Sequence, residues 1–238
     1  MRFPKAKFEQ LTRRALDCRQ CFDLREVVEP TINVAQPRSV GPGYWASRMR
    51  VVVLLLNPGQ SRDDGGARGF LERIQEFRAG VRKLDTILAG QRQVMPSWGR
   101  PAGRFGEFYV RGLGLNINEI AFVNVAWCAT RGNKYPQTVL GRCFQLHTSE
   151  LLRLLAPDVI LACGRQTHRF AGAIAALMPE VSVIRTLHYA HREGRRAEER
   201  ELRRVRAALS RSRSARGAEP ANRRLQPTAA GAVMSRRG

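Results

Sequence analysis

The sequence predicts an α/β fold, a three-layer α/β/α domain built on a central, mostly parallel sheet of four strands. Two observations support this prediction. Four short apolar runs rich in β-branched residues are spaced along the chain. Segments with the apolar spacing of amphipathic helices separate them. Strands that alternate with helices form parallel sheets whose two faces are both covered by helices.

The apolar runs give the positions of the four strands. The first, over residues 50–56, contains the longest apolar stretch of the chain, at 51–56, and stops at Asn57-Pro58-Gly59. A sharp loop therefore follows its carboxyl end, where open α/β sheets place their ligands. The other three strands are expected over residues 120–125, 158–162 and 181–186.

The helices are assigned from apolar spacing and the loops from proline and glycine content. Helices are expected over residues 8–25, 69–89, 140–155, 166–177 and 198–209, with another beginning near Phe108. Residues 29–47 and 91–106 are expected to be loops. The folded domain is assigned to residues 1–209. Residues 210–238 consist largely of Arg, Ser, Ala, Gly and Pro, and are expected to form a disordered basic tail because they have little to bury.

The formal net charge of +21 and the isoelectric point near 11.4 predict a polyanionic partner, with nucleic acid favoured over an anionic membrane. The charge is not confined to the tail. Residues 195–238 contain 13 arginines and 4 glutamates, so the preceding residues keep a net charge of about +12. No apolar run reaches the roughly 18–20 residues that span a bilayer, and the amino terminus has no apolar signal-peptide core. A cytoplasmic protein without a membrane partner is expected.

Four of the five cysteines stand at the boundaries of predicted elements. Cys18 and Cys21 form a CxxC pair on or beside the first helix, Cys128 follows the second strand, and Cys143 lies at the start of a helix. Four thiolates can hold a [4Fe–4S] cluster or a tetrahedral zinc ion, and the wide spacing of the second pair favours the cluster. Four unrelated buried cysteines are the alternative. Cys163 ends the third strand and is expected to be a core residue.

Several segments, taken in order, resemble the iron–sulfur (family 4 type) uracil-DNA glycosylases. The segment at 124–136 has the Asn-Val pair, the cysteine and the Gly-Asn-containing loop of that family, and the segment at 154–165 is similar to its helix-to-strand passage ending in Gly-Arg. Leu187-His188 stands where the family has His-Pro-Ser, and the CxxC pair and Cys143 also match. The resemblance covers roughly residues 18–192.

Two positions depart from the family pattern. The first loop is usually Gly-Glu-x-Pro-Gly in the iron–sulfur families, and here Leu56 stands at the Glu position. The Asn57-Pro58-Gly59 form instead resembles the mismatch-specific glycosylases, in which the Asn handles the attacking water. Tyr189-Ala190 replaces Pro-Ser after the histidine. These departures affect the expected substrate range and, to a lesser degree, the expected activity.

The resemblance implies that the protein flips a damaged nucleotide out of DNA and hydrolyses its N-glycosidic bond. Asn57 would place the water, with Asp63 or Asp64 as a possible base, although an Asn before Pro is also an ordinary turn residue. His188 would donate to O2 of the leaving base, with His191 as a competitor placed nearer phosphate or solvent. A structural histidine is the alternative for His188.

The same resemblance assigns residues that bind the base and the DNA. Asn124 would read the Watson–Crick edge of the base, or else tie two loops together. Trp98 or Phe105 would stack on the base, and Pro58 and Gly59 would line its pocket. The residues expected to contact DNA are Arg131, Lys134, Tyr189 and Arg192, and the loop of residues 41–44 is expected to bind phosphate.

Three functions are therefore open at the level of the sequence. The first is a monomeric glycosylase for uracil or a related deaminated base, with a structural [4Fe–4S] cluster. The second is a DNA-binding module of the same fold that senses damage, with catalysis weakened or lost at Leu56. The third is a zinc-bearing protein that binds nucleic acid and has no enzymatic activity.

Overall fold

A four-stranded sheet, in which every strand is parallel to its neighbours, forms the centre of the protein. The computed structural model describes residues 4–21, 35–58, 65–99, 102–128, 134–191 and 193–217. The strand order is β2-β1-β3-β4, and Val53 pairs with Phe122 on one side and with Leu161 on the other. The strands are β1 (Val51–Leu55), β2 (Ile120–Asn124), β3 (Val159–Cys163) and β4 (Ser182–Thr186).

Strands β1, β2 and β3 are buried along their whole length because both faces of the sheet are covered. Val52 and Leu54 of β1 point into one core, and Val53 and Leu55 point into the core on the opposite face. A strand buried on both faces must be apolar at every position, which explains the unbroken β-branched and aliphatic sequence of β1. The predicted α/β fold with a parallel four-stranded sheet is confirmed.

Helices cover both faces of the sheet. The first face packs against α1, α2, α3, α5 and α7, and the second packs against α8 and the residues around Phe108. The helices are α1 (Lys5–Asp17), α2 (Gly65–Arg78), α3 (Leu84–Val94), α4 (Gln137–Cys143), α5 (Ser149–Leu155), α6 (Arg165–His168), α7 (Ala171–Leu177) and α8 (Arg195–Gly217).

Several predicted helices have different limits in the structure. The single helix expected over residues 69–89 is two helices, α2 and α3, and Gly80 between them has a φ of +80°. This conformation favours glycine and ends the first helix, so the shared apolar spacing concealed a turn. The helix expected over residues 166–177 is likewise divided into α6 and α7. The π-helical segment Gly106–Gly112 stands where a helix was expected to begin near Phe108.

Two further limits bear on the cysteines and on the tail. α1 ends at Asp17, so Cys18 and Cys21 follow the helix, and residues 22–25 lie outside the described residues. Cys143 ends α4 and lies inside a helical stretch that starts at Gln137 and continues through the π-helical turn Phe144–Thr148 into α5. α8 runs past Ser210, where the tail was expected to begin, and residues 218–238 lie outside the described residues.

The exposed edge of β2 is covered by the chain that precedes β1. Phe122 N–H donates to the carbonyl oxygen of Ser39 (2.9 Å), and Gly41 N–H donates to Ile120 (2.9 Å). Gly43 N–H donates in turn to Asn118 (2.8 Å). A side chain at Gly41 would overlap the main chain of Asn118, so only glycine allows this close approach. The N–H groups of Gly41 and Gly43 are therefore already used in this pairing, and that of Tyr44 donates to Gly41 (3.1 Å), so they are not available to the phosphate expected at residues 41–44.

The amino-terminal edge of the sheet is fixed by a buried ion pair. The carboxylate of Asp158 accepts from the main-chain N–H of Arg50 (2.7 Å) and from its guanidinium (2.9 Å). Asp158 precedes β3 and Arg50 precedes β1, and the Asp158 side chain is 3% exposed. The pair therefore joins the starts of two neighbouring strands at the edge opposite the one where β1 reaches Asn57.

Replacing Asp158 by Asn is expected to lower the free energy of unfolding by about 1.5–3 kcal/mol. The substitution removes a charge-assisted hydrogen bond and leaves the positive charge of the Arg50 guanidinium without a carboxylate partner. Urea denaturation at pH 7 measures this change as a lower midpoint with an unchanged slope. Glu150→Gln is the control, since the Arg14–Glu150 pair lies in solvent and its loss should change stability by less than about 1 kcal/mol. Equal effects of the two substitutions would contradict the structural role of Asp158.

Candidate functional site

The carboxyl ends of all four strands meet at one edge of the sheet because the strands are parallel. Asn124 ends β2, and Asn57 follows β1 by two residues. Gly164 follows β3, and His188 follows β4. The strand order places the two asparagines on neighbouring strands and the histidine at the far end of the edge. The sequence assigned its catalytic and base-reading residues to this edge, and the structure brings them there.

Asn57 is held beside the chain that follows β2. Val125 N–H donates to Leu55 (2.9 Å) and Ala126 N–H donates to Leu56 (2.8 Å), so the pairing of β1 with β2 continues beyond the strand ends. Asn57 and Pro58 are partly exposed. Leu56 packs against the core, so no acid or base occupies its position. The remaining residues predicted for this loop, Gly59, Asp63 and Asp64, lie outside the described residues.

Asn124 combines deep burial with an unpartnered amide. Its side chain is 2% exposed, and neither Oδ1 nor Nδ2 makes a hydrogen bond. Its main-chain carbonyl, in contrast, accepts from the hydroxyl of Thr148 (2.8 Å), which ties the residue to the helical stretch behind it. A buried amide without hydrogen-bond partners lowers the stability of the folded protein by about 1–3 kcal/mol. The amide therefore presents two N–H donors and two acceptor lone pairs to whatever enters this edge.

His188 is held in one tautomer by the main chain. The N–H of Ala190 donates to Nδ1 (3.2 Å), so the neutral ring carries its proton on Nε2. The ring stacks on Tyr189 with centroids 4.4 Å apart. Desolvation, and then the nearby His191, lower the pKa of His188 below its usual 6.5, so the ring is neutral at pH 7. Its Nε2–H is a fixed neutral donor at this edge.

Gly164 makes room for this histidine. Its φ is +85°, and a Cβ at this position would lie 3.4 Å from Cβ of His188. His191, expected near phosphate or solvent, is in a different environment. Its side chain is only 6% exposed, with Nε2 3.6 Å from the carboxylate of Glu198. His191 therefore does not lie in the exposed part of the site.

The candidate aromatic residues form one cluster. Phe105 has no exposed surface and meets Trp98 edge-on, with centroids 5.8 Å apart, and Tyr189 at 5.2 Å. Trp98 is partly exposed, and it therefore has ring surface available to a ligand. Tyr189, expected to contact DNA, packs on Phe105 and Tyr109, and burial raises its pKa to about 12. Of the other residues predicted to contact DNA, Lys134 is exposed, and Arg131 and Arg192 lie outside the described residues.

Arg38 belongs to this site although the sequence reasoning did not identify it. Its side chain is 7% exposed, its Nε makes no hydrogen bond, and its guanidinium lies 5.3 Å from the ring centroid of Trp98. Burial lowers its pKa to about 10, which leaves it charged at pH 7. No signal marks Arg38 in a chain with 41 lysines and arginines, because only tertiary packing removes it from water.

The four element-boundary cysteines line a single pocket. Cys18 and Cys21 approach it from the end of α1, Cys128 from the end of β2, and Cys143 from α4. Ala126, Trp127, Val139 and Leu146 supply most of the remaining wall. The sequence prediction that these four thiols face one place is consistent with this arrangement.

Burial and neighbouring thiols disfavour the thiolate form in this pocket. Burial, and then the neighbouring thiols of Cys18 and Cys21, raise the pKa of Cys128 to about 12. The pKa of Cys143 is likewise raised, mainly by burial. A metal centre bound to these sulfur atoms would reverse this penalty. The N–H of Trp127 already points at Sγ of Cys143 (3.3 Å), as a main-chain donor to a ligating sulfur does.

His147 lines the same pocket and was not singled out from the sequence. It is 5% exposed, and neither ring nitrogen has a hydrogen-bond partner. The donor set of four thiols fits a [4Fe–4S] cluster or a zinc ion. In the described part of the chain, no three His, Cys, Asp or Glu side chains converge as closely as ligands of one ion would.

Cys163 is confirmed as a core residue. It is 1% exposed and packs against the second face of the sheet, with Sγ 3.8 Å from the carbonyl oxygen of Leu187. Burial raises its pKa to about 11, so it stays a thiol at neutral pH. It therefore provides a matched control for the cysteines of the pocket.

Comparison of the sequence with models of known protein families gives no match, and no curated protein matches it significantly. Among the described residues, no helix is both long and apolar enough to cross a bilayer.

Proposed function

We propose that this protein is a DNA glycosylase that hydrolyses the N-glycosidic bond of uracil or a related deaminated base. The observation that carries the proposal is Asn124, a buried amide with no partner at the carboxyl edge of a parallel sheet. Such an amide pairs with a planar group that offers an acceptor next to a donor, as O4 and N3–H of uracil do. The resemblance of the sequence to the iron–sulfur uracil-DNA glycosylases supports the same assignment.

The reaction breaks the bond between C1′ of the sugar and the ring nitrogen of the base. The bonding electron pair leaves with the base, the sugar gains oxocarbenium character, and water adds to C1′. Asn57, two residues beyond β1, is placed to orient that water. An amide cannot remove a proton at neutral pH, so the water gives up its proton to solvent only after it has begun to bond to C1′, and the departing base anion takes a proton from solvent. A slower reaction than that of a carboxylate enzyme is expected.

The negative charge that develops on the leaving base, on O2 in uracil and on N3 in a purine such as hypoxanthine, needs a fixed donor. The neutral ring of His188 supplies its Nε2–H, because Ala190 occupies Nδ1. A donor already oriented before the reaction stabilises the developing charge without reorganisation. The exposed part of Trp98 is available to stack on the flipped base, with Phe105 packed edge-on beside it.

A catalytically weakened damage sensor is the second candidate, and the environment of Leu56 favours it. This side chain packs against the core at the position where the resembled family has Glu. Asn57 would then be the only described residue of the loop able to handle water. A sensor of this kind would bind the same flipped base without releasing it.

The DNA-binding surface is supported by the charge of α8. A helix turns 100° per residue, so Arg196, Arg200, Arg203 and Arg211 share one face, opposite the buried Val205 and Leu209. None of these four arginines pairs with a carboxylate among the described residues, although Arg195 and Arg204 pair with Glu199 and Glu201. Unpaired like charges three and four residues apart destabilise a helix. A polyanion that contacts this face, which we call the arginine face, would offset that repulsion.

Removing two residues of the arginine face, as Arg200→Ala/Arg203→Ala, is expected to weaken DNA binding for every sequence. The slope of log K against log salt should fall by about 2, since each phosphate contact contributes about 0.9. Arg195→Ala/Arg204→Ala is the matched control: the same helix loses the same two positive charges, but these belong to ion-paired side chains. Fluorescence anisotropy over a salt series measures both. Identical slopes for the two variants would show that only overall charge matters.

The four-thiol pocket is assigned a structural role. Cys18, Cys21, Cys128 and Cys143 would hold a [4Fe–4S] cluster, with zinc as the alternative, and the group would fasten the end of α1 to β2 and α4. When bound, it supplies a compact positive core for four thiolates. Glycosidic hydrolysis needs no electron, so no step of the reaction depends on it.

Base release tests the proposed function. Purified protein is incubated with labelled oligonucleotides that contain U:G, U:A, single-stranded U, T:G or hypoxanthine, and alkali then cuts at abasic sites. Cleavage at any of these bases, absent from an undamaged duplex, supports the glycosylase. Tight binding to the same DNA without cleavage supports the damage sensor. A colourless, zinc-containing protein that does neither supports a nucleic-acid-binding protein without enzymatic activity.

A further inference from the structure

Two buried polar side chains with unpartnered atoms, Nε of Arg38 and the amide of Asn124, lie on neighbouring chains at the carboxyl edge of the sheet. The chain around Arg38 runs antiparallel to β2, with Phe122 N–H donating to Ser39 (2.9 Å), which places Arg38 opposite Val123 and beside Asn124. Asn124 pairs with Leu55, whose side chain points to the second face of the sheet, and the guanidinium of Arg38 lies over Trp98, which packs on that same face. Adjacent chains in such pairing are about 4.8 Å apart. The unpartnered Nε and the unpartnered amide therefore lie near each other on this face.

The guanidinium of Arg38 provides hydrogen-bond donors beyond those required to recognise uracil. The amide of Asn124 alone satisfies O4 and N3–H of uracil. On the other side of O4, uracil presents only the C5–H group, which accepts nothing. A buried N–H of Arg38 that faces C5–H would remain without a partner, and this is the costly arrangement for a buried donor.

A 6-oxopurine such as hypoxanthine offers the missing acceptor. Its O6 has one lone pair on the N1–H side and one on the N7 side, and N7 itself accepts. Arginine meets O6 and N7 together, which is its commonest base-specific contact. Asn124 can at the same time donate to O6 and accept from N1–H. Both unpartnered side chains are then satisfied by one planar base.

A phosphate explains the burial of Arg38 less well. Backbone phosphates stay at the protein surface, whereas Arg38 is 7% exposed and lies over the ring of Trp98. Its electrostatic neighbours are the hydroxyls of Tyr189 and Tyr135. In the described part of the chain no carboxylate forms an ion pair with it, so its charge is free to meet an exocyclic oxygen of a base.

We propose that Arg38 and Asn124 together read the O6, N7 and N1–H groups of a 6-oxopurine, so that among the deaminated bases hypoxanthine is preferred to uracil. This inference rests on the proposed function for its DNA substrate, but base recognition itself requires no catalysis. Arg38 is in this view a specificity-determining residue that contacts the base.

Calorimetric titration of the full chain with free hypoxanthine, free uracil and free adenine tests the inference apart from catalysis. Hypoxanthine is expected to bind about 10- to 100-fold more tightly than uracil, the range that one bidentate arginine contact contributes. Adenine is expected to bind weakly, because its amino group faces the donors of Arg38. Arg38→Gln and Arg38→Lys should each reduce the preference to near one, since neither keeps the planar fork.

Arg104→Gln is the control, because Arg104 is also largely buried but forms ion pairs with Glu107 and Glu198. It should keep the full preference, and thermal unfolding identifies any variant that fails to fold. Equal binding of hypoxanthine and uracil by the unaltered protein, or a preference that survives in both folded Arg38 variants, overturns the inference. The absence of binding of either base also overturns it.

Parallel base-release assays on hypoxanthine and uracil oligonucleotides separate this inference from the proposed function. Selective hypoxanthine binding without release of a base from either DNA would support the inference and contradict the proposed glycosylase. Release of uracil by a protein whose base preference does not depend on Arg38 would support the glycosylase and contradict the inference.

Discussion

The Cys128→Ala protein is expected to lose its metal centre and the brown colour that accompanies an iron–sulfur cluster. Cys128 lines the pocket between Cys21 and Cys143, and its burial makes an uncompensated thiolate unfavourable there. With one of four ligands removed, the iron content should fall from about four per chain to nearly none. Iron analysis and absorption near ~400 nm measure the loss. Thermal unfolding should occur at a lower temperature, because metal binding contributes to folding.

Cys163→Ala is the matched control for this experiment. It removes one thiol from a buried position on the opposite face of the sheet, away from the four-thiol pocket. Its iron content and colour should equal those of the unaltered protein, even if its stability falls slightly. Retention of the cluster by Cys128→Ala would contradict the ligand assignment. A colourless unaltered protein with one zinc per chain would replace the cluster by zinc and leave the four ligands unchanged.

Base release is expected to fall by about 10²–10³-fold when either Asn57 or His188 is replaced by Ala. In the proposed site, Asn57→Ala removes the group that would orient water, and His188→Ala removes the donor that would meet the leaving base. Single-turnover assays with excess protein measure the chemical step separately from product release. Affinity for the uncleaved DNA should change little, because neither side chain belongs to the arginine face.

Asn116→Ala is the control for the loss of an asparagine amide. Asn116 is exposed near the amino-terminal edge of the sheet, and its amide donates to Glu119 (2.9 Å). This variant should release bases at the unaltered rate. If Asn57→Ala and His188→Ala also release bases as fast as the unaltered protein, the proposed catalytic site is wrong, whatever its resemblance to known enzymes.

Loss of the metal centre and loss of base release should have different structural causes. In the proposed metal centre the cysteines would fasten the end of α1 to β2 and α4, so their replacement should act through the fold. Asn57 and His188 stand at the ends of different strands of one sheet, and their replacement should act on the chemistry while the sheet remains intact. Comparison of unfolding temperatures with rates therefore separates a structural cause from a catalytic one.

The strands and the position of the candidate site follow from the sequence alone. The run around Val53 is apolar at every position because both faces of a parallel sheet are covered. On the protein surface, such a run would expose apolar side chains to water. Once the strands are parallel, residues that follow them, such as Asn57 and His188, must share one edge. Local patterns of this kind record burial and chain direction, and both are properties of the segment itself.

Tertiary structure alone decided which polar side chains lose their contact with water. Arg38 is one arginine among many in the sequence, and it becomes unusual only because its chain pairs with β2 and its guanidinium is covered by Trp98. His147 and His191 are also buried by distant segments, one beside the four thiols and the other beside Glu198. The turn at Gly80 was concealed because two helices share one apolar period. Burial of a polar group depends on residues far away in the chain, so no local pattern predicts it.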